Sequence, residues 1–249
     1  MRIRLMQNLI DKLRGKRKAL KLSEKVTKNN KITVDKSCLY NTSINIDGQN
    51  NTVIIESANM TKRAKLAISI CGNNNTVIIK EGFGLSEELV IQIGQEHPNF
   101  GKVENSTFGI DKNTSVESMK YFTYNSNTYC KIGSDCMFAF DINIYNTDAH
   151  PIFDVTSGKL INYVKGITIG NHCWVGAKST ILKNSVLPDN CILGWGSVYS
   201  GCPKDGQEAD YTNCAFAGNP AKMVKKGINW DSNGAKCGYI DNKTDEVNK

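Results

Sequence analysis

Three histidines occur among the 249 residues: His97 in QEHPNF, His150 in NTDAHPIFD and His172 in GNHCW. His150 stands with Asp148 and Asp154 in the densest set of titratable groups in the β-rich part of the chain. A neutral imidazole has its pKa near working pH, so such a histidine is suited to taking a proton from a reacting group and returning it. His97 and His172 read as structural, the latter at a corner between repeats. The nine cysteines are odd in number and include no CxxC pair. They read as reduced thiols, with Cys71, Cys136 and Cys191 where small residues fill coil interiors or corners, and no metal site is expected from them.

What must position His150 is a repeat. From Ile167 to Gly201 the chain reads ITIGNH, CWVGAK, STILKN, SVLPDN, CILGWG and SVYSG, which sets Ile169, Val175, Ile181, Leu187, Leu193 and Tyr199 six residues apart. A helix would show a period of 3.6 and an ordinary strand a period of two. A period of six, with Gly170, Gly176, Pro188 and Gly194 just after the apolar position, fits a solenoid of short strands and turns whose apolar residues stack inside. Three blocks close one triangular coil and set Leu187 above Ile169. Residues 132–148 keep the pattern and place Ile132, Phe138 and Ile144 inside. From Ile144 to Ile169 is then 25 residues, no multiple of six, so a loop over 148–166 must leave the coil. An insertion in a rigid repeat is where function is expected.

Upstream, INIDGQNNTVII (44–55) and ISICGNNNTVII (68–79) repeat at a spacing of 24 and predict two wider coils. Asparagine ladders are expected at their corners, because Asn and Gly tolerate left-handed backbone. Residues 81–131 are less legible and are read as continuing the solenoid. A C-terminal extension over 202–249 follows, in which Gly218-Asn219-Pro220 turns Ala221 and Lys222 back along the solenoid and the last dozen residues are expected to be disordered.

The formal charge of +7 is uneven. Residues 1–31 hold eleven Lys or Arg against Asp11 and Glu24, a balance of +9, which leaves −2 for the rest. Met6, Leu9, Ile10, Leu13 and Leu20 recur there at helical spacing, so 1–30 reads as a basic amphipathic helix. Three roles stay open for it: a helix packed on the solenoid with a solvated basic face, contact with an anionic membrane through residues 1–25, or nucleic-acid binding. No aromatic interleaving supports the last, and no nucleic-acid partner is expected. No apolar run approaches a membrane span and no signal peptide is read, so the expected location is cytoplasmic, or peripheral at the inner face of a membrane.

The Ile-Gly hexads, TDAHPIFD, GNHCWVGAKSTILKN and the closing AGNPAK together resemble the hexapeptide-repeat acyltransferases. Within these, the chain is most similar to the sugar O-acetyltransferases of bacterial surface-polysaccharide clusters, including those acting on sialic acid polymers. The likeness runs from about Lys131 to Asp231, more weakly from Lys31, and excludes the N-terminal segment. It implies a left-handed parallel β-helix, acetyl-CoA as donor, no required metal, and a homotrimer with active sites between neighbouring subunits. It also implies that His150, in a D-x-H-P setting, is the general base on the acceptor hydroxyl, with Asp148 orienting or stabilising its ring. Trp174 matches the bulky residue lining the cleft. Gly176, Ala177, Gly194 and Gly196 fall along the path of the pantetheine, and Ser200, Lys222 and Lys225 fall toward the far end of CoA, where phosphates call for cations. Trp195 stands where a small residue is usual, so that this indole narrows the cofactor groove or caps a subunit contact, and Gly201 replaces a residue that is often basic.

The expected fold is thus an all-β solenoid, a left-handed parallel β-helix over 31–201 with a short N-terminal α-helix and a loop at 148–166 carrying His150. The expected function is acetyl-CoA-dependent O-acetylation of a sugar hydroxyl in a capsular or other surface polysaccharide. Two rivals stand beside it: N-acetylation of an amino sugar nucleotide, and a non-catalytic β-helix scaffold.

Overall fold

The computed structural model describes residues 20–24, 29–97, 100–201 and 208–233. They form a left-handed parallel β-helix whose cross-section has three sides. The first side is a seven-stranded parallel sheet running through Lys31–Val34, Thr52–Ile55, Thr76–Ile79, Thr107–Ile110, Tyr129–Ile132, Gly166–Ile169 and Val186–Leu187. In the narrow C-terminal coils the second side carries Met137–Phe138, Trp174–Val175, Ile192–Leu193 and Cys214–Gly218. The third side there carries Ile142–Tyr145, Thr180–Leu182 and Val198–Tyr199. Among the described residues only two short 3-10 turns interrupt the β-structure, at Lys36–Cys38 and Glu208–Tyr211. No helix there is long and apolar enough to cross a membrane.

The six-residue period sets the register. Ile169 pairs with Leu187, Val175 with Leu193 and Ile181 with Tyr199, and all six are at most 2% exposed. Two residues earlier in each block the chain needs something small at the corner, and Cys173, Ser179, Ser185, Cys191 and Ser197 fill that place without exposure. Serine and thiol play the same part. Ser179 Oγ donates to the Gly194 carbonyl at 3.0 Å, and the thiols of Cys136, Cys173 and Cys191 donate to the carbonyls of Gly170, Pro188 and Tyr211 at 3.0–3.1 Å. The seven described cysteines are buried. Burial pushes the Cys191 thiol up to about 11 and raises those of Cys38 and Cys130 as well.

The wide coils also form as the 24-residue repeat requires. Ile44 pairs with Ile68 and Val53 with Val77. Their corner ladder runs up the inside of the solenoid: Asn30, Asn51 and Asn75 each accept, through Oδ1, the backbone N–H of the next rung, ending on Ser106, at 2.9 Å each. Corner asparagines such as Asn50, Asn74, Asn105 and Asn127 take positive φ of 56–58°.

Two boundaries differ from the sequence expectation. Lys21–Glu24 is a strand that pairs in parallel with Thr42–Asp47, and Leu20 is buried in the core, so the β-structure begins before residue 31. Pairing to an open sheet edge outweighs the helical spacing of this short stretch, while residues 1–19 lie outside the described residues. At the other end the solenoid does not stop at Gly201. Ala215 and Phe216 pair with Ile192 and Leu193, and Ala221–Lys226 returns antiparallel with Ala217 opposite Lys222, as the Gly-Asn-Pro turn predicted. The expected disordered tail, 238–249, is also outside the described residues.

Candidate active site

The loop bearing His150 leaves the edge between the third and first sides. Ile132 pairs with Ile169, 37 residues on, whereas Ile169 pairs with Leu187 only 18 residues on, and the surplus is the excursion between Tyr145 and Gly166. Its base is a tight turn. Ala149 takes φ of 63°, a left-handed conformation that costs a non-glycine residue about 1–2 kcal/mol. Two short bonds hold it: Ala149 N–H donates to Thr147 Oγ1 at 2.9 Å, and His150 N–H donates to the Asp148 carbonyl at 2.7 Å. Farther out, Phe153 bridges Leu160, and Asp154 Oδ1 accepts from Ser157 N and Oγ at 2.6 and 2.7 Å to close the tip. Those bonds hold the Asp154 carboxyl below its ordinary range. Asp154 thus shapes the hairpin.

The turn projects an exposed His150 beside a pocket of about 270 Å³ lined by Asp148, His150, Asn125, Ser126, Asn162 and Tyr163. Asn162 is the brace, a residue without a sequence signature. Its Nδ2 donates to Asp148 Oδ2 at 2.8 Å and to the His150 carbonyl at 2.9 Å, while its Oδ1 accepts from Ile152 N–H at 2.8 Å. Asp148 Oδ2 also pairs with Lys183 Nζ at 3.1 Å, which ties the loop to the next coil. The partners seen for the Asp148 carboxylate are therefore Asn162 and Lys183, which stabilise the loop that carries the imidazole.

The remaining sequence candidates lie elsewhere on the prism. Trp174 faces outward from the second side, 37% exposed. It lies 6.0 Å from Trp230, whose ring stacks on His172 at 4.4 Å and whose Nε1 donates to the His172 carbonyl at 2.8 Å. His172 is a corner residue with φ of 52°, in keeping with a structural role. Trp195, 65% exposed, stands at the edge between the second and third sides, edge-on to Phe140 at 5.1 Å. Ser200 is exposed at the end of the third side, and Lys222 and Lys225 are exposed on the returning strand.

The glycines also have a reason within the fold. A Cβ on Gly176 would meet the Leu193 carbonyl at 2.8 Å, and one on Gly194 would meet Ala217 at 3.1 Å, so the next turn of chain occupies that space. Of Gly176, Gly194 and Gly196, only Gly196, with φ of 66°, opens onto nothing within 4 Å. Ala177 is buried, and its carbonyl accepts from Gly196 N–H at 2.8 Å. The candidate residues thus fall in two separate groups, His150 at the edge between the third and first sides and Trp174 with Lys222 and Lys225 on another face.

A prism of hexapeptide coils, a register-breaking loop with an exposed histidine and a closing hairpin define the fold of the left-handed β-helix acyltransferases, and the resemblance to the hexapeptide-repeat family is borne out. No protein-family model matches the chain. It is similar to the polysialic acid O-acetyltransferase of Escherichia coli O1:K1 / APEC, with 38% identity over 99 residues, 40% of this chain and 30% of that protein. It is also similar to the polysialic acid O-acetyltransferase of Neisseria meningitidis, with 52% identity over 52 residues, 21% of this chain and 24% of that one. The matched segments therefore span less than a third of either relative. The likeness in structure is wider: the crystal structure of the polySia-specific acetyltransferase NeuO superposes with a TM-score of 0.66 at 26% identity, covering 86% of this chain and 89% of that one.

Proposed function

We propose that this chain is an O-acetyltransferase that moves the acetyl group of acetyl-CoA to a hydroxyl of a bacterial surface polysaccharide, with a sialic acid polymer as the acceptor. The observation that carries the reading is His150, exposed at a pocket on a braced loop that breaks an otherwise regular solenoid. The names of the two curated relatives and of the NeuO structure support the substrate class.

A sugar hydroxyl attacks a thioester poorly unless its proton leaves as the new bond forms. The hydroxyl oxygen bonds to the thioester carbonyl carbon, and its proton passes to the His150 imidazole. The tetrahedral intermediate then expels the CoA sulfur, which takes the proton back, and an acetyl ester remains on the sugar. General-base assistance of this kind contributes roughly 10²–10⁴-fold. Asp148, held by Asn162 and Lys183, keeps the imidazole in place.

The donor side is supplied by Trp174, the open backbone at Gly196, Trp195, Ser200 and the cationic Lys222 and Lys225 of a second copy. The two half-sites lie on different edges of one prism, and a homotrimer with neighbouring prisms side by side joins them. The basic surplus of residues 1–25 suits contact with an anionic membrane surface. Incubation of the protein with acetyl-CoA and sialic acid oligomers, read by mass spectrometry of the glycan, tests the reading. Addition of one or more acetyl groups per chain is expected. Acetylation confined to an amino sugar nucleotide, or none with any glycan, would overturn it.

A further inference from the structure

A second excursion leaves the same edge of the prism as the His150 loop. Thr76 pairs with Thr107, 31 residues on, but Thr107 pairs with Tyr129 only 22 residues on, and the surplus lies between the strands Phe83–Ile93 and Val103–Glu104. Its ends are fixed. Gly94 N–H donates to the Thr123 carbonyl at 2.8 Å, and its φ of 72° places the Cβ position 2.3 Å from the Cys71 carbonyl, so only glycine fits there. On the exit side Lys102 Nζ lies 3.7 Å from Asp47, and Phe100 N–H donates to the His97 carbonyl at 3.1 Å. The half-buried Phe100 ring lies flat against Tyr124, centroids 4.8 Å apart at 23°, and 6.2 Å from the His150 imidazole. His97 closes the row at 5.3 Å from Phe100.

The geometry points to a second sugar subsite: Phe100, backed by Tyr124, stacks on the pyranose ring of the residue next to the one being acetylated. This rests on the proposed acetyl transfer to a glycan. The His150 pocket, at about 270 Å³, is just below the roughly 300 Å³ at which pockets for drug-sized ligands begin, so it takes about one sugar residue. The neighbouring residue of a polymer must lie outside it on the same edge, where a flat, pre-positioned aromatic ring offers large apolar contact at little ordering cost. The enzyme then prefers oligomers to single sugars, and Phe100 is the source of the preference.

The test measures KM, kcat and directly titrated Kd for the sialic acid monomer and for its oligomers, in wild type, Phe100→Ala, Phe100→Leu and Phe100→Tyr. Wild type is expected to bind oligomers at least tenfold more tightly than monomer. Phe100→Ala and Phe100→Leu lose about tenfold in KM and Kd for oligomers, the usual scale for a central aromatic contact, with little change in kcat or in any monomer value. Phe100→Tyr keeps the flat ring and restores oligomer binding. A wild type that binds oligomers no better than monomer, or a Leu variant equal to wild type on oligomers, overturns the subsite. Phe100-dependent oligomer binding without acetyl transfer would uphold the subsite and remove the proposed reaction instead.

Discussion

At the scale of single residues, the site depends on how one imidazole is held. Asn162 makes three bonds within the loop, so Asn162→Asp, which replaces the donor by a second carboxylate facing Asp148, is expected to lower kcat by about ten- to a hundredfold, since small misplacements of a catalytic group cost that much. The solenoid should keep its melting temperature, because the loop lies outside the stacked core. The cysteines make a contrasting case. With the Cys191 thiol pushed up to about 11, only about one molecule in a thousand holds the reactive thiolate at pH 8. Native protein treated with iodoacetamide at that pH should show the seven described cysteines unlabelled by peptide mapping, with labelling on unfolding; rapid native labelling of Cys191 would contradict the stacked-thiol packing. His150 was legible in the sequence because its loop breaks a count of six. Asn162 and Lys183 were not, since a polar residue that braces a loop from ten or more positions away has no spacing of its own.

At the scale of elements, the narrow coils depend on repeated positions, and each should respond like a core site. Ile181→Ala is expected to destabilise the fold by about 2–5 kcal/mol in denaturant unfolding, the cost of an unfilled cavity under a fully buried side chain. Gly170→Ala should also destabilise, as its new methyl would sit 2.6 Å from the Asp189 backbone nitrogen. Little change in either midpoint would contradict the stacking. The hexads of 167–201 could be read directly because each short strand ends in a glycine, proline or asparagine corner. In the wide coils the strands Phe83–Ile93 and Ser115–Thr123 run through a corner without such punctuation, and Val116 pairs to the second side while Met119 pairs to the third. That continuity hid the period between 81 and 131, and with it the loop that carries Phe100. The strand at Lys21–Glu24 was hidden for a different reason: its four residues fall within a basic segment whose apolar spacing suits a helix.

At the scale of the whole molecule, the proposed trimer rests on the separation of His150 from Trp174, Lys222 and Lys225 within one chain. The His150 loop exposes apolar side chains in the single chain, with Val155 99% and Ile161 60% exposed. In the proposed trimer a neighbouring prism would cover such a surface. The native mass by light scattering is expected to be three times that of the chain, and Val155→Asp should shift it toward the monomer and reduce acetyl transfer together. A fully active monomer would contradict the proposed trimer.

The most direct test is His150→Gln, which keeps a polar side chain of similar reach and removes the base. Acetyl transfer to sialic acid oligomers should fall by about 10²–10⁴-fold. The thermal stabilisation by acetyl-CoA, about 2.7 kcal/mol at a hundred times its dissociation constant, should persist in that variant and shrink in Trp174→Ala. Activity of His150→Gln within a few-fold of wild type would contradict the assignment of His150 as the base that the braced loop presents.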